Sequence, residues 1–220
     1  MPVKFPDVDL ASEDGLLAVG GSLEPEVLRE AYTHGVFPWP VSKEFPLTWF
    51  APDPRGVIKL DNFHTPRSLA KFLKKNPFEM SFNKDFDQVI TNCAEQKRKH
   101  EAGTWINSEI INGYKKLFKQ GSAYSVEAYK DGELVGGLYG VCIGEIISGE
   151  SMFHSKTNAS KACLVHLVST LKKAGLTFLD TQMVTPVVES LGGEEISRQE
   201  FMMMLERLDN DRPRNDIFGS

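Results

Sequence analysis

The stretch that most constrains the fold is residues 146–182, which reads as a strand, a polar crossing, a helix and a second strand. Asn158 is suited to cap the helix, and Gly175 fits the left-handed position at which a helix ends. Between them, apolar side chains recur at the spacing of one helical face, at Leu164, Leu167, Val168 and Leu171. The pattern predicts an amphipathic helix that packs on a sheet.

Acidic and amide side chains stand at both crossings of this stretch. Glu150 precedes the helix, and Asp180 and Gln182 end the second strand. In a β-α-β unit these two places lie near each other, so the three side chains are expected to face one cleft. Alternation along a strand puts Asp180 and Gln182 on one face. An Asp at a strand end is also a common turn cap, which is the alternative for Asp180.

Composition predicts a soluble globular protein. With 220 residues, 41% hydrophobic and 25% charged, the chain is long enough for one large domain or two small ones. We find no apolar run of membrane-spanning length and no signal-peptide core, so we expect a cytoplasmic protein that does not enter a membrane. Cys93, Cys142 and Cys163 are widely spaced, which predicts neither a disulfide framework nor a metal site.

Basic residues cluster in the middle of an acidic chain. The net charge of −5 argues against a protein that coats nucleic acid, but lysines and arginines concentrate between residues 71 and 119. A solvated helix end and a phosphate-binding surface explain this cluster equally well. The candidate phosphate-binding residues are Lys71, Lys74, Lys97, Arg98 and Lys99.

The chain changes texture near Asp61. The residues before it are rich in Gly, Pro and Trp, which predicts a small N-terminal domain at 1–61 and a second domain at 62–220. Trp39 and Trp49 belong to the first part. They are typical either of a small domain's core or of a wall on which a base stacks.

The order of elements after residue 62 predicts an α+β fold with a mixed sheet. The predicted order is helix, helix, a meander of antiparallel strands at 123–129, 134–141 and 142–148, and then helix, strand and helix. That order suits the acyl-CoA N-acyltransferase (GNAT-like) architecture. Enzymes of that architecture hold a pyrophosphate on a Gly-rich loop, but here residues 154–161 contain no glycine, so coenzyme A is not the expected donor.

Seven strings along the chain resemble the leucyl/phenylalanyl-tRNA–protein transferase family. They span almost the whole chain in order, and several are long. They are Gly15-Leu-Leu-Ala-Val-Gly-Gly-Ser22, Tyr32-Thr-His-Gly-Val-Phe-Pro-Trp39, Leu47-Thr-Trp-Phe-Ala-Pro-Asp-Pro-Arg55, Gly149-Glu-Ser-Met-Phe153, Asn158-Ala-Ser-Lys161, Asp180-Thr-Gln182 and Ser190-Leu-Gly192.

The resemblance implies a bacterial cytosolic aminoacyltransferase. Such an enzyme moves Leu or Phe, and less readily Met, from aminoacyl-tRNA to the amino terminus of proteins that begin with Arg or Lys. The transferred residue marks the acceptor for degradation. The implied partners are therefore Leu-tRNA, Phe-tRNA and those acceptor proteins, with no cofactor and no metal.

The resemblance also assigns site residues. Asp180 and Gln182 match the catalytic Asp-x-Gln pair, and Glu150 matches the glutamate of Gly-Glu-Ser-Met-Phe. The sequence differs from many members at His154-Ser155 and at Val187. The implied contacts to the terminal adenosine are Trp49 and Trp105, and the implied pocket for the transferred side chain contains Met152 and Phe153.

The implied chemistry needs no strong base, because an aminoacyl ester is already activated and an N-terminal amine of pKa about 8 is partly neutral near pH 7. We expect Asp180 and the carbonyl of Gln182 to accept hydrogen bonds from that amine. Two alternatives remain at this point: an acetyl-CoA-dependent N-acetyltransferase, and a tRNA-binding module without catalytic activity.

Overall fold

The structure is a computed structural model that describes residues 4–41, 45–96 and 105–219. Within these ranges the strands form two sheets, one of three strands and one of seven. The expected mixture of helices and strands, with a mixed sheet and a small N-terminal unit, is confirmed. The likeness to the acyl-CoA N-acyltransferases stays a prediction.

The N-terminal unit is an antiparallel sheet with one helix beside it. Its strands lie in the order β1-β3-β2. The helix begins with a proline, whose missing N–H needs no partner there, and ends before Gly35, which has a φ of +72°. The elements are β1 Leu16–Val19, α1 Pro25–Thr33, β2 Phe37–Pro38 and β3 Thr48–Phe50.

The large sheet has the strand order β10-β4-β9-β8-β7-β6-β5. Its described neighbours pair antiparallel, except β8 and β9, which run parallel. The strands are β4 Arg55–Lys59, β5 Glu79–Phe82, β6 Ala123–Lys130, β7 Glu133–Ile143, β8 Ile146–His154, β9 Phe178–Gln182 and β10 Glu194–Ile196. The predicted division at residue 61 stays a prediction, although β4 precedes it and pairs within this sheet.

Helices cover both faces of the large sheet. The longest helix buries the predicted apolar stripe from Leu164 to Leu171 in the core of one face. α1, α3 and α4 contribute to the core of the other face. The remaining helices are α2 Arg67–Leu73, α3 Phe86–Glu95, α4 Ser108–Lys119, α5 Ala159–Lys173, α6 Pro186–Glu189, α7 Arg198–Leu205 and α8 Asn215–Phe218. In the described ranges, these helices include none with the length and hydropathy of a membrane span.

Two local predictions were wrong: the strand at 142–148, and the position of Glu150 in the crossing before the helix. The predicted strand at 142–148 crosses a hairpin turn at Gly144, whose φ is +56° and whose missing Cβ makes room for the backbone of Asp209 and Asn210. β8 begins after this turn and continues to His154. Glu150 therefore lies within a strand rather than in a loop. Asn158 does occupy the N-cap position of α5, but its side chain makes no capping hydrogen bond.

Candidate functional site

A cavity of about 370 Å³ lies where β8 and β9 separate. The parallel pairing of these strands consists of Ser148 with Asp180 in the described register, and the cavity lies beyond that pair. Most of its wall is apolar, and its polar side chains include Glu150, within β8, and Gln182, at the end of β9. The apolar lining includes Leu138, Met152, Leu164, Leu179, Met183, Val187 and Val188.

Glu150 is the centre of a hydrogen-bond network beside the cavity. Its Oε1 accepts from Ser148 Oγ at 2.7 Å and from Gln182 Nε2 at 2.9 Å, and its Oε2 accepts from Tyr114 Oη at 3.3 Å. The Tyr114 hydroxyl is in turn hydrogen-bonded to that of Tyr32 in α1. Every partner can donate, so the network fits an ionised carboxylate.

Burial shifts the pKa values of this network. It raises the pKa of Glu150, and the charge of Asp180 adds to the effect, while hydrogen bonds from Ser148 and the tyrosines oppose it. Burial, together with the charge of Glu150, also raises the pKa values of Tyr32 and Tyr114 well above their ordinary value. Both phenols therefore keep their protons and remain donors.

The network also fixes which end of the Gln182 amide faces Glu150. A carboxylate only accepts hydrogen bonds, so the Nε2 end must turn towards it. The carbonyl oxygen of Gln182 can still accept a hydrogen bond, and residue 182 lines the cavity. The site can therefore offer an oriented acceptor to a bound N–H group.

Asp180 is placed differently from Gln182. Its side chain is 3% exposed and does not line the cavity. Its Oδ1 accepts from Arg55 Nε at 2.9 Å and from Gln182 N at 2.9 Å, and its Oδ2 accepts from Arg55 Nη2 at 2.6 Å. The expected hydrogen bond from an amine to Asp180 does not fit this position, because the side chain is buried and does not line the cavity.

The backbone at Gln182 is in an uncommon conformation. Its φ is +58°, and Met183 N donates to Thr181 O at 2.6 Å, which closes a three-residue γ-turn. The register of β9 with β4 shifts here, since Gly56 pairs with Gln182 but Val57 pairs with Asp180. This turn breaks the alternation from which Asp180 and Gln182 were expected to share a face.

Two stacked tryptophans line another part of the cavity wall. The rings of Trp39 and Trp105 lie 6.0 Å apart, nearly parallel, and both residues line the cavity. Trp49 does not: it is 1% exposed, and its Nε1 donates to Gly20 O at 2.8 Å. A substrate contact by Trp49 stays a prediction. Trp39, between two prolines, is the tryptophan that the resemblance did not assign.

The other expected site residues are only partly brought together. Met152 lines the cavity, whereas Phe153 points to the opposite side of β8, into the core. Lys71 and Lys74 are exposed at α2 and do not line the cavity. The three remaining basic candidates, Lys97, Arg98 and Lys99, lie outside the described residues.

Arg55 is a buried residue beside the site that the sequence analysis did not identify. It ends one of the seven strings and opens a buried strand, and a charged residue in that position must find a partner. Asp180, at the end of another buried strand, was the obvious candidate for that partner. Tyr32 and Tyr114 gave no comparable signal, because a tyrosine on a helix most often belongs to the core.

The chain matches the models of one protein family in two segments. The family model described as leucyl/phenylalanyl-tRNA protein transferase matches residues 57–206, and the model of the N-terminal domain of the same family matches residues 21–53. The two matches together extend over most of the chain. They contain Glu150, Gln182, Arg55's partner Asp180 and Trp39.

Several relatives carry the name leucyl/phenylalanyl-tRNA–protein transferase. One from Flavobacterium johnsoniae is 47% identical over 91% of this chain and 94% of its own length. One from Shewanella piezotolerans is 44% identical over 92% and 85%, respectively. One from Syntrophobacter fumaroxidans is 46% identical over 91% and 86%. Each similarity extends over most of this chain and most of the relative.

Proposed function

Because the chain belongs to the leucyl/phenylalanyl-tRNA protein transferase family, we propose that it transfers a leucyl or phenylalanyl group from aminoacyl-tRNA to the amino terminus of a protein. The observation that carries the proposal is one cavity in which an apolar wall, two stacked tryptophans and an oriented amide meet. These features match the side chain, the terminal base and the attacking amine that the reaction must hold together.

The finer parts of the proposal follow the family resemblance. The acceptors begin with Arg or Lys, Met is a poorer donor residue, and the product is a degradation signal. The reaction takes place in the cytoplasm, where aminoacyl-tRNA is used. The 62–220 part adopts a GNAT-like domain, which is supported by the parallel strands β8 and β9 that separate at the cavity.

Gln182 is the proposed catalytic contact to the amine. Its carbonyl oxygen accepts a hydrogen bond from the amine, while Glu150 holds the other end of the amide and contributes negative charge. The amine nitrogen attacks the ester carbon, the bond from that carbon to the ribose oxygen breaks, and the nitrogen's proton is lost as the ribose oxygen gains one. Positioning supplies much of the acceleration, since the ester is already activated.

The test is transfer of labelled Phe from Phe-tRNA to a peptide that begins with Arg. We expect a labelled peptide, and none when the same peptide begins with Asp. Acetyl-CoA in place of Phe-tRNA should yield no acetylated peptide. Tight binding of Phe-tRNA without any transfer would instead identify a binding module and overturn the proposal.

Donor choice should follow the shape of the apolar wall. Met152, Leu164 and Val188 line a space for an unbranched or γ-branched side chain, and we expect Leu and Phe to be transferred much faster than Ile or Val. A methylene is worth only about 1 kcal/mol of burial, so shape must provide the discrimination. Competition between Leu-tRNA and Ile-tRNA measures it, and equal rates would contradict this assignment.

The two tryptophans of the N-terminal unit should respond oppositely to replacement. Trp39→Ala removes a stacking face that is worth about 1–3 kcal/mol per base, so the KM for Phe-tRNA should rise about 10- to 100-fold. Trp49→Ala should instead lower the free energy of unfolding by about 3–5 kcal/mol and leave this KM unchanged per folded molecule. The reverse pattern would restore Trp49 as the base contact.

The exposed lysines of α2 are proposed to meet tRNA phosphates. Lys71→Gln with Lys74→Gln should raise the KM for Phe-tRNA and flatten its salt dependence by about one log–log unit per lost contact. Transfer from phenylalanyl-adenosine should not change. Lys172→Gln with Lys173→Gln on α5 is the matched control, and an equal effect there would indicate a response to net charge alone.

A further inference from the structure

Arg55 is buried, and each of its three guanidinium nitrogens donates a hydrogen bond. Its side chain is 2% exposed, and its guanidinium binds Asp180 through two nitrogens, as described above. A third nitrogen, Nη1, donates to Gly35 O at 2.8 Å. The guanidinium also lies over the rings of Phe37 and Phe201, at 4.8 and 4.4 Å from their centroids. Its position is therefore fixed from the N-terminal unit, from β9 and from α7.

The interaction continues from Arg55 to the main chain of the proposed catalytic residue. The Asp180 oxygen that accepts from Arg55 Nε also accepts from the backbone N–H of Gln182. That N–H belongs to the γ-turn with φ of +58°, a left-handed conformation that is strained for a non-glycine residue. Such a turn persists only when its surroundings hold it.

Stability alone is a poor explanation of this pair. The desolvation free energy lost on burying two charges is about as large as the free energy gained from their attraction, so a buried pair adds little net stability. A pair of apolar side chains would fill the same space. The ion pair does provide something that an apolar pair cannot, which is a carboxylate fixed in direction beside the Gln182 N–H.

We propose that Arg55 is a positioning residue for Gln182. It fixes the Asp180 carboxylate, and that carboxylate holds the γ-turn from which the Gln182 amide reaches Glu150 and the cavity. Neither Arg55 nor Asp180 touches the substrate. This inference rests on the proposed function for the role of Gln182, but the geometry of the turn is independent of that function.

The experiment compares two replacements of the pair in Phe transfer to an Arg-initiated peptide, normalised to the folded fraction. Arg55→Lys keeps the charge but not the two-pronged contact, and Arg55→Met with Asp180→Leu removes both charges. We expect kcat to fall about 100-fold for the double variant, as for a displacement of about 1 Å, with the KM for Phe-tRNA within about threefold. Arg212→Met with Glu145→Leu removes a partly buried ion pair at the hairpin turn between β7 and β8 and should leave kcat unchanged.

A second arm isolates the route through Gln182. When Gln182 is already Ala, replacing the pair should cause little further loss of kcat, because both changes remove the same function. A full additional loss in that background would overturn the proposal. So would a folded double variant with wild-type kcat.

A third arm is independent of activity and decides the case if a variant unfolds or if the wild type transfers nothing. Amide hydrogen exchange at Gln182 is measured in the wild type and in Arg55→Lys, with the amides of β8 as internal reference. Faster exchange at residue 182 alone supports positioning, and unchanged protection there overturns it. An absence of transfer by the wild type would contradict the proposed function only.

Discussion

Glu150→Gln is expected to reduce kcat for Phe transfer by about 100-fold while the KM for Phe-tRNA changes little. The substitution removes the negative charge beside the amine, which becomes positive during attack. It also lets either end of the Gln182 amide turn towards residue 150, since a second amide can both donate and accept. The tRNA and the transferred side chain are held elsewhere, so single-turnover rates at saturating donor measure the effect.

The pH profile provides a second, independent readout of Glu150. Burial raises the pKa of this carboxyl, and the oriented network needs its ionised form, so wild-type kcat should fall as pH drops through the raised pKa. Glu150→Gln should lack this part of the acidic limb and keep only the part that comes from protonation of the acceptor amine. A raised acid pKa stabilises the fold below the ordinary carboxyl pKa, and this contribution is lost as pH rises through the raised value.

Stability and activity should therefore respond in opposite directions to this substitution. Because burial raises the pKa of Glu150, its ionisation is a cost to the fold, and at pH values above the raised pKa Glu150→Gln should melt at the same temperature as the wild type or higher. A variant that retains wild-type kcat, or one whose acidic limb is unchanged from that of the wild type, would remove Glu150 from the mechanism.

Gly56→Ala is expected to damage the site from the neighbouring strand. A Cβ at residue 56 would lie 2.4 Å from the carbonyl carbon of Met183 and 2.7 Å from its Cα, so the end of β9 must move away. That movement displaces the γ-turn and the Gln182 amide with it. We expect about a 100-fold loss of kcat and a loss of about 1–3 kcal/mol in unfolding free energy.

Gly149→Ala is the matched control for this substitution. Residue 149 lies on β8 at the same cavity, but a Cβ there meets nothing within 4 Å. Its effect on kcat and on denaturant unfolding should be far smaller than that of Gly56→Ala. Equal effects of the two substitutions, or wild-type kcat in Gly56→Ala, would mean that the turn is not needed.

The sequence predicts the parts of the molecule that depend on periodicity. The spacing of Leu164, Leu167, Val168 and Leu171 identifies the buried face of α5, because a helix returns to the same face every three to four residues. Hydrophobic pattern and turn residues also predict β6 and the Asp131-Gly132 turn after it. Both are local properties of the chain.

The rest of the site depends on contacts between distant residues. Alternation predicts one face for Asp180 and Gln182, but only Gln182 lines the cavity, and the register shift with Gly56 at that point depends on a strand far away in the sequence. Trp39 and Trp49 both belong to the aromatic-rich N-terminal unit, yet the indole N–H of Trp49 is satisfied inside that unit while Trp39 stacks on Trp105. No local pattern distinguishes such cases, because the partner in each lies elsewhere in the chain.

The long separations within the network also bear on when the protein becomes active during its own synthesis. Tyr32 and Tyr114 are 82 positions apart, and Arg55 and Asp180 are 125 apart. Contacts that close such long loops form late, and a nascent chain emerges from its amino terminus. A ribosome-bound chain without β9 has Glu150 but neither Asp180 nor Gln182. It should therefore be unable to consume the aminoacyl-tRNA that the ribosome is using to complete it.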